Sequence, residues 1–287
     1  MMSSSWQTIL NLLPLDLGSV KHSLQWVISE SKDKFYSNPN FRPPEDGRSV
    51  LGKKGMVLYL IHGTADYPDV FNELIGNLLL KLPSYVYGIR NVTLEKRFQG
   101  LSIEEQARQI IGKMKANGDT DVGFIGHSRG GLDAQRVDAI VTKEKEHNIR
   151  VHLVTNVCTP YQGSYLAIRP LTSASDSVAQ MAIGADYLEE VEKEVMQSSA
   201  AYYFILARND YIVEPTKCYL PKYVEQHPDS VFVIENTGHL EIIYKEFFFR
   251  RCHTILEKLE SSLKPRNLAT EEMHEEKPLI GVTSSYA

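Results

Sequence analysis

Short apolar runs recur along this chain of 287 residues, and amphipathic segments separate them. An apolar run of strand length bounded by glycine or polar residues is typical of a strand covered on both faces. The predicted strands span residues 55–63, 84–90, 121–126, 150–160, 201–210 and 230–239. The intervening segments favour helices at residues 71–82, 102–117, 129–146 and 240–263. Because strands that alternate with helices are joined by crossover connections, this order predicts a mostly parallel central sheet with helices on both faces.

One predicted helix carries an explicit start signal. Ser102 precedes the first apolar residue of its segment, and Glu105 follows three positions later. Such a pair forms a capping box, in which each side chain accepts a hydrogen bond from the backbone N–H of the other residue. The apolar residues of the segment keep helical spacing, namely Ile103, Ala107, Ile110, Ile111 and Met114. They predict one buried face.

Length and apolar content favour a single elaborated domain. With 43% hydrophobic residues, the chain can bury one large core. We expect residues 55–263 to form this domain, with residues 165–200 inserted as a small helical cap. Residues 1–54 are expected to be an N-terminal extension that packs on the core, and contact of its apolar opening with a membrane surface is the alternative. Residues 264–287 are polar, carry two prolines and lack periodicity, which predicts a flexible tail.

The net charge and the cysteines indicate which partners and which cellular compartment to expect. The net charge is −5 and the isoelectric point is about 6.0, which argues against nucleic acid as a partner because no basic stripe stands out. The apolar opening is too short for a membrane span, and no positive residue precedes it as in a signal peptide. Cys158, Cys218 and Cys252 are widely spaced and offer no disulfide framework. We therefore expect a reducing compartment, the cytoplasm, while the oligomeric state stays open.

The segment from Gly126 to Gly130 places a serine, Ser128, between a predicted strand and a predicted helix. Its pattern is G-x-S-x-G, in which the serine occupies a sharp turn and bulkier residues at the two glycine positions would collide with the strand or helix. Such a turn projects the hydroxyl from the carboxyl edge of the sheet, where ligands bind in sheets of this kind. The free N–H groups of the following helix favour negative charge that develops there. The pattern therefore predicts a nucleophilic serine.

A nucleophilic serine needs a base and an acid that orients the base. His239 directly follows a predicted strand, comes last in the chain order, and has Gly238 before it for backbone freedom. We predict that His239 is the base. Asp210 lies just past the preceding strand, at a turn, and is the predicted acid. Glu214 and Glu235 are the alternative acids.

Donors for an oxyanion are expected from two backbone positions. Thr64 follows the strand that ends in His62 and Gly63, and Arg129 follows the serine at the start of a helix. Their N–H groups can converge on one carbonyl oxygen, where negative charge develops during attack. His62 is expected to make a structural hydrogen bond, and Asp133 is expected to have a structural or capping role.

Three segments resemble the α/β-hydrolase family, and within it the bacterial triacylglycerol lipase-like branch. GHSRGGLDA is similar to the serine segment of that branch, LIHGT to its oxyanion segment, and VCTPYQGS to the element T-P-H-x-G-S after the next strand. The similarity covers residues 55–164 well and residues 201–244 more loosely, and Tyr161 stands where the branch usually has histidine. The resemblance implies the α/β-hydrolase fold. For the site it implies nucleophile Ser128, acid Asp210, base His239, and oxyanion donors Thr64 and Arg129.

These residues and this resemblance predict a serine hydrolase that cleaves carboxylic esters through an acyl-enzyme, with no metal or organic cofactor. The expected substrate is a small-molecule acyl ester or a lipid. Hydrolysis of thioesters or phospholipid acyl groups is an alternative, as is a non-catalytic binding protein on the same scaffold. The predicted cap either lines an acyl pocket or is a helical excursion that packs on its own domain. The candidate pocket residues are Leu166, Ile168, Leu171, Val178, Met181, Ile183 and Leu188.

Overall fold

The computed structural model describes residues 32–43, 51–94, 100–144 and 148–263. Within these residues, seven strands form one sheet in the order β1-β3-β2-β4-β5-β6-β7. The strands are β1 (Lys34–Ser37), β2 (Met56–Ile61), β3 (Val86–Val92), β4 (Asp121–His127), β5 (Arg150–Val157), β6 (Ala201–Ala207) and β7 (Val231–Ile234). All neighbouring pairs are parallel except β1, which pairs antiparallel with β3. The predicted mostly parallel sheet is confirmed.

The helices of the described residues fall between these strands and after β7. They are α1 (Asn72–Leu80), α2 (Ile103–Asn117), α3 (Arg129–Glu144), α4 (Leu171–Ala174), α5 (Asp176–Gln180), α6 (Asp186–Val195), α7 (Pro221–Gln226) and α8 (Glu246–Leu263). α1 packs against α8, and α2 packs against α3. Of the helices described, none combines the length and the apolarity that crossing a membrane requires.

The core lies on the central strands, as their composition requires. Every residue of β2 and of β4 is buried, which matches their continuous apolar runs. The predicted capping box at Ser102 is confirmed, since both of its hydrogen bonds to and from Glu105 are present. The same helix ends at Asn117 and is followed by Gly118, whose φ of +67° provides the left-handed conformation that terminates helices.

Three short helices, α4 to α6, lie between β5 and β6 and are fastened to the helices beneath them. The carboxylate of Glu194 in α6 accepts hydrogen bonds from Gln135 at 2.9 Å, Arg136 at 2.8 Å and Lys143 at 2.5 Å, all in α3. In α5, the side-chain oxygen of Gln180 accepts from the N–H of Ile103 at 2.8 Å. This region is therefore anchored at two separate points.

Several predicted boundaries differ from the structure. The strands predicted to reach residues 160, 210 and 239 end at Val157, Ala207 and Ile234. The helix predicted from residue 240 begins at Glu246, after a 3-10 turn at Ile242–Tyr244. Strand β1, within the predicted N-terminal extension, was not predicted. The rest of that extension at residues 1–31 and 44–50, and the predicted tail at 264–287, lie outside the described residues.

Candidate active site

Ser128 occupies the turn between β4 and α3 with a φ of +54°, a left-handed conformation that non-glycine residues rarely adopt. A Cβ on Gly126 would lie 2.5 Å from the main chain of Gly130, and a Cβ on Gly130 would lie 2.2 Å from the carbonyl oxygen of Ile61. Glycine is therefore required at both positions, because the neighbouring main chain lies too close to leave room for a side chain. The N–H of Ser128 donates to the carbonyl of Val157 at 2.8 Å, which holds the turn against β5.

His239 and Asp210 are in direct contact although 29 residues separate them. Nδ1 of His239 lies 2.6 Å from Oδ2 of Asp210, and both side chains are buried. The other carboxylate oxygen, Oδ1, accepts from the N–H groups of Ile212 and Val213 at 2.8 Å each. Burial alone would raise the pKa of Asp210, but the charge and hydrogen bond of His239 and the two backbone donors hold it below its usual value. Asp210 is thus an ionised carboxylate that orients the imidazole.

Ser128 and His239 line one cavity of about 400 Å³ at the edge where the parallel strands end. Much of its wall is apolar. Its apolar lining side chains include Leu166, Leu171, Val178, Met181, Ile212 and Leu240. Of the seven candidate pocket residues, Leu166, Leu171, Val178 and Met181 therefore do line a cavity.

The other three candidate pocket residues lie elsewhere. Ile168 and Ile183 are exposed, with 37% and 55% of their surface accessible to solvent. Leu188 is buried within the hydrophobic core, on the inner face of α6. The prediction was wrong for these residues because apolar composition alone does not distinguish a cavity wall from a core face or an exposed turn.

The segment after β2 adjoins the serine. Thr64 lines the cavity, and a Cβ on Gly63 would lie 3.1 Å from Cβ of Ser128. Arg129 is the first residue of α3, so its N–H has no acceptor within the helix. The side chain of Arg129 is buried, and its Nε donates to Oδ2 of Asp133 at 3.1 Å. Thr64 and Arg129 therefore both lie beside Ser128.

Asp133 is entirely buried within α3. Burial raises its pKa to about 6, although Arg129 opposes this shift. Its Oδ1 has no hydrogen-bond partner. The expected structural role fits this placement, because its partner is Arg129 rather than a histidine.

The alternative acids are occupied elsewhere. Glu214 accepts from the hydroxyl of Tyr165 at 2.6 Å, and Glu235 pairs with Arg208 at 3.0 Å. The hydrogen bonds from Tyr165 and Arg208 lower the pKa of these two exposed carboxyls. Nδ1 of His62 lies 3.0 Å from the carbonyl oxygen of Gly63, in line with its expected structural hydrogen bond.

Sequence reasoning assigned no role to two further residues beside the site. Nε2 of His127 lies 2.9 Å from the carbonyl oxygen of His239. Cys158 is fully buried with a φ of +49°, and its Sγ, a carboxylate oxygen of Asp210 and a ring nitrogen of His239 all lie within 4.8 Å of one another. These atom types can bind a metal ion. Burial and the nearby carboxylate raise the pKa of the Cys158 thiol, however, so it stays neutral while Asp210 and His239 bond to each other.

Comparison with known proteins gives matches at the level of structure. No protein-family model matches the sequence, and no curated protein sequence matches it. A mature lipase from Bacillus licheniformis is similar with a TM-score of 0.52 and 14% identity, over 78% of this chain and 98% of that one. A monoacylglycerol lipase from Paleococcus ferrophilus has a TM-score of 0.54 and 16% identity, over 81% and 99% of the two chains. A bacterial membrane phospholipase A has a TM-score of 0.51 and 14% identity, over 90% and 96%.

At such identities the likeness concerns the fold alone. The matched proteins are covered almost completely, so the likeness extends over whole domains rather than over a local motif. The sheet order and the helices between the strands agree with the resemblance that the serine segment carries. The chain has the α/β-hydrolase fold.

Proposed function

We propose that this protein is a serine hydrolase of carboxylic esters, with Ser128 as nucleophile, His239 as base and Asp210 as acid. One observation carries the proposal. The bond of 2.6 Å between His239 and the buried Asp210 orients an imidazole at the wall of the cavity that also contains Ser128. This is the arrangement of base, orienting acid and nucleophile that acyl transfer requires.

The reaction follows from the hydrogen bonds. Because Nδ1 of His239 donates to Asp210, Nε2 is the nitrogen left to accept a proton. His239 takes the proton of the Ser128 hydroxyl as the oxygen attacks the acyl carbonyl, and then delivers it to the departing alkoxide. Water then hydrolyses the acyl-enzyme, with His239 again acting as the base. Asp210, held ionised, offsets the charge on the imidazolium in both steps.

The negative charge on the acyl oxygen needs donors beside Ser128. The N–H of Arg129 at the start of α3 and the N–H of Thr64 in the cavity wall are the proposed pair. Backbone donors are fixed before the reaction begins, and each contributes roughly 3–4 kcal/mol to stabilisation of such an oxyanion. Ala65, directly after Thr64, has a φ of +54°, so this segment turns sharply beside the site.

The cavity supports an acyl group of apolar character as the substrate. Leu171, Val178 and Met181 contribute side chains to its wall, and its volume of about 400 Å³ is at the lower end of ligand pockets. An ester with an acyl chain of moderate length fits this space. Thioesters and phospholipids present the same kind of acyl carbonyl to the serine, so the substrate panel includes both.

The test is Ser128→Ala, with Ser173→Ala on the exposed surface of α4 as matched control. Ser128→Ala should abolish labelling by a fluorophosphonate probe and the hydrolysis of p-nitrophenyl esters, while circular dichroism and melting temperature stay unchanged. Ser173→Ala should behave as wild type. A panel of oxygen esters, thioesters and phospholipids then ranks the substrate classes. Wild-type turnover in Ser128→Ala would refute the proposal, and a wild type that neither labels nor hydrolyses any member would favour the non-catalytic alternative.

A further inference from the structure

His127 makes a buried hydrogen bond to the main chain of the proposed base. Its Nε2 lies 2.9 Å from the carbonyl oxygen of His239. Because a carbonyl oxygen only accepts, Nε2 of His127 carries a proton and donates it. The neutral ring protonated on Nε2 and the imidazolium both have this proton, so the bond persists in either charge state.

This bond joins two parts of the chain that are 112 residues apart. His127 is the last residue of β4 and is covalently linked to Ser128, whereas His239 lies in the loop after β7. The two imidazole rings are also in contact, with centroids 5.0 Å apart. The loop that carries His239 is thereby attached to the residue next to the proposed nucleophile.

Asp210 and His127 hold different parts of His239. The bond from Nδ1 to Asp210 sets how the ring is turned. The bond from His127 to the carbonyl oxygen sets where the main chain of the loop lies relative to the nucleophile turn. Proton transfer between Ser128 and His239 depends on both, because it requires hydrogen-bond distance as well as alignment.

We propose that His127 is a positioning residue, which holds the main chain of His239 at the distance from Ser128 that proton transfer requires. The inference rests on the proposed function, whose nucleophile and base it connects. A misplacement of about 1 Å can lower the rate of a catalytic step by about 10²-fold. We therefore expect loss of the bond to lower kcat rather than to weaken substrate binding.

The loop has other attachments that keep it folded without His127. The N–H of Asn209 donates to the carbonyl of Thr237 at 3.0 Å, and the N–H of Ile242 donates to the carbonyl of Gly238 at 3.2 Å. A variant that lacks the imidazole should therefore shift the loop without unfolding it.

The experiment compares His127→Leu, His127→Gln and His127→Asn. Leucine removes the donor, glutamine places an amide N–H at about the reach of Nε2, and asparagine carries the same amide on a side chain one bond shorter. His127→Leu should lower kcat for a p-nitrophenyl ester by about 10- to 100-fold with KM within about threefold of wild type. His127→Gln should recover most of this loss, and His127→Asn should resemble His127→Leu. The rate of fluorophosphonate labelling should fall in parallel with kcat.

The outcomes separate this inference from the proposed function. Turnover that depends on Ser128 but is unchanged in His127→Leu overturns the positioning role alone, as does a loss confined to KM. A glutamine variant no more active than the asparagine variant also overturns it, and this comparison decides the matter if His127→Leu does not fold. Turnover that survives Ser128→Ala overturns the proposed function itself.

Discussion

Replacing Asp210 by asparagine changes the size of the side chain very little but should greatly lower activity. The reason is that the neighbouring hydrogen bonds fix the orientation of the new amide. The N–H groups of Ile212 and Val213 both donate to Oδ1, at 2.8 Å each. In Asp210→Asn, the amide oxygen has to stay with these donors, since an amide nitrogen cannot accept. The amide nitrogen is then forced to face Nδ1 of His239.

This orientation reverses the protonation of the base. The amide nitrogen donates, so Nδ1 of His239 has to accept, and the single proton of the neutral ring moves to Nε2. A protonated Nε2 cannot take the proton of Ser128. The corresponding change in serine proteases lowers turnover about 10⁴-fold through the same wrong tautomer, which is about 5 kcal/mol of activation free energy. We expect a loss of this order for Asp210→Asn.

The assay is kcat/KM for a p-nitrophenyl ester, with melting temperature measured alongside to exclude unfolding. Glu214→Gln and Glu235→Gln are the matched controls, since they make the same chemical change in exposed carboxylates that pair with Tyr165 and Arg208. Both controls should stay within about threefold of wild type, a change under about 1 kcal/mol. If Asp210→Asn stayed within about tenfold of wild type while one glutamine variant lost activity severely, the acid would be that glutamate.

Two further predictions concern the cavity and the buried ion pair. Met181→Ala should enlarge the cavity and shift the preference towards longer acyl chains, with roughly fourfold in kcat/KM for each additional buried methylene; an unchanged profile across a series of p-nitrophenyl esters would contradict this. Because burial raises the pKa of Asp133 from 3.8 to about 6, the folded state binds this proton more tightly than the unfolded state, and the contribution of Asp133 to stability falls as the pH rises from about 4 to about 6. From about pH 4 to about pH 6, the free energy of unfolding of Asp133→Asn should rise by about 3 kcal/mol relative to that of wild type, as measured by denaturant titrations. A difference in unfolding free energy that does not change with pH would contradict this prediction.

The sequence predicted the central sheet well because β2 and β4 are buried on both faces and therefore carry continuous apolar runs. It did not predict β1, a strand of four residues whose side chains are alternately half-buried and exposed. An edge strand of this kind has no apolar run to reveal it. Its pairing with β3 becomes visible only in three dimensions.

Two of the three strands whose ends were predicted too late, β5 and β7, are followed by left-handed residues that are not glycine. Cys158 follows β5 with a φ of +49°, and Asn236 follows β7 with a φ of +53°. Cysteine in particular gives no sequence signal for such a turn. These turns direct the chain towards the site, so the least predictable backbone lies where the function is proposed.

Chain order and position after strands favoured His239 and Asp210, which the structure brings into contact, and left Glu214 and Glu235 as alternative acids. The bond from His127 could not be predicted in this way. It depends on the separation between β4 and the loop after β7, which no local pattern encodes. Local motifs thus indicated the proposed catalytic residues, whereas the proposed positioning residue required the tertiary structure.

The attachment of the helices between β5 and β6 has a practical consequence for protein engineering. Leu171, Val178 and Met181 shape the cavity, whereas α6 is held on α3 by Glu194 at a different place. A combinatorial library confined to Leu171, Val178 and Met181 can therefore diversify the substrate range, while Gln180 and Glu194 preserve both attachments of the region. Randomising Glu194 or its donors in α3 would instead remove an attachment of the whole region and lower the selectivity among all substrates.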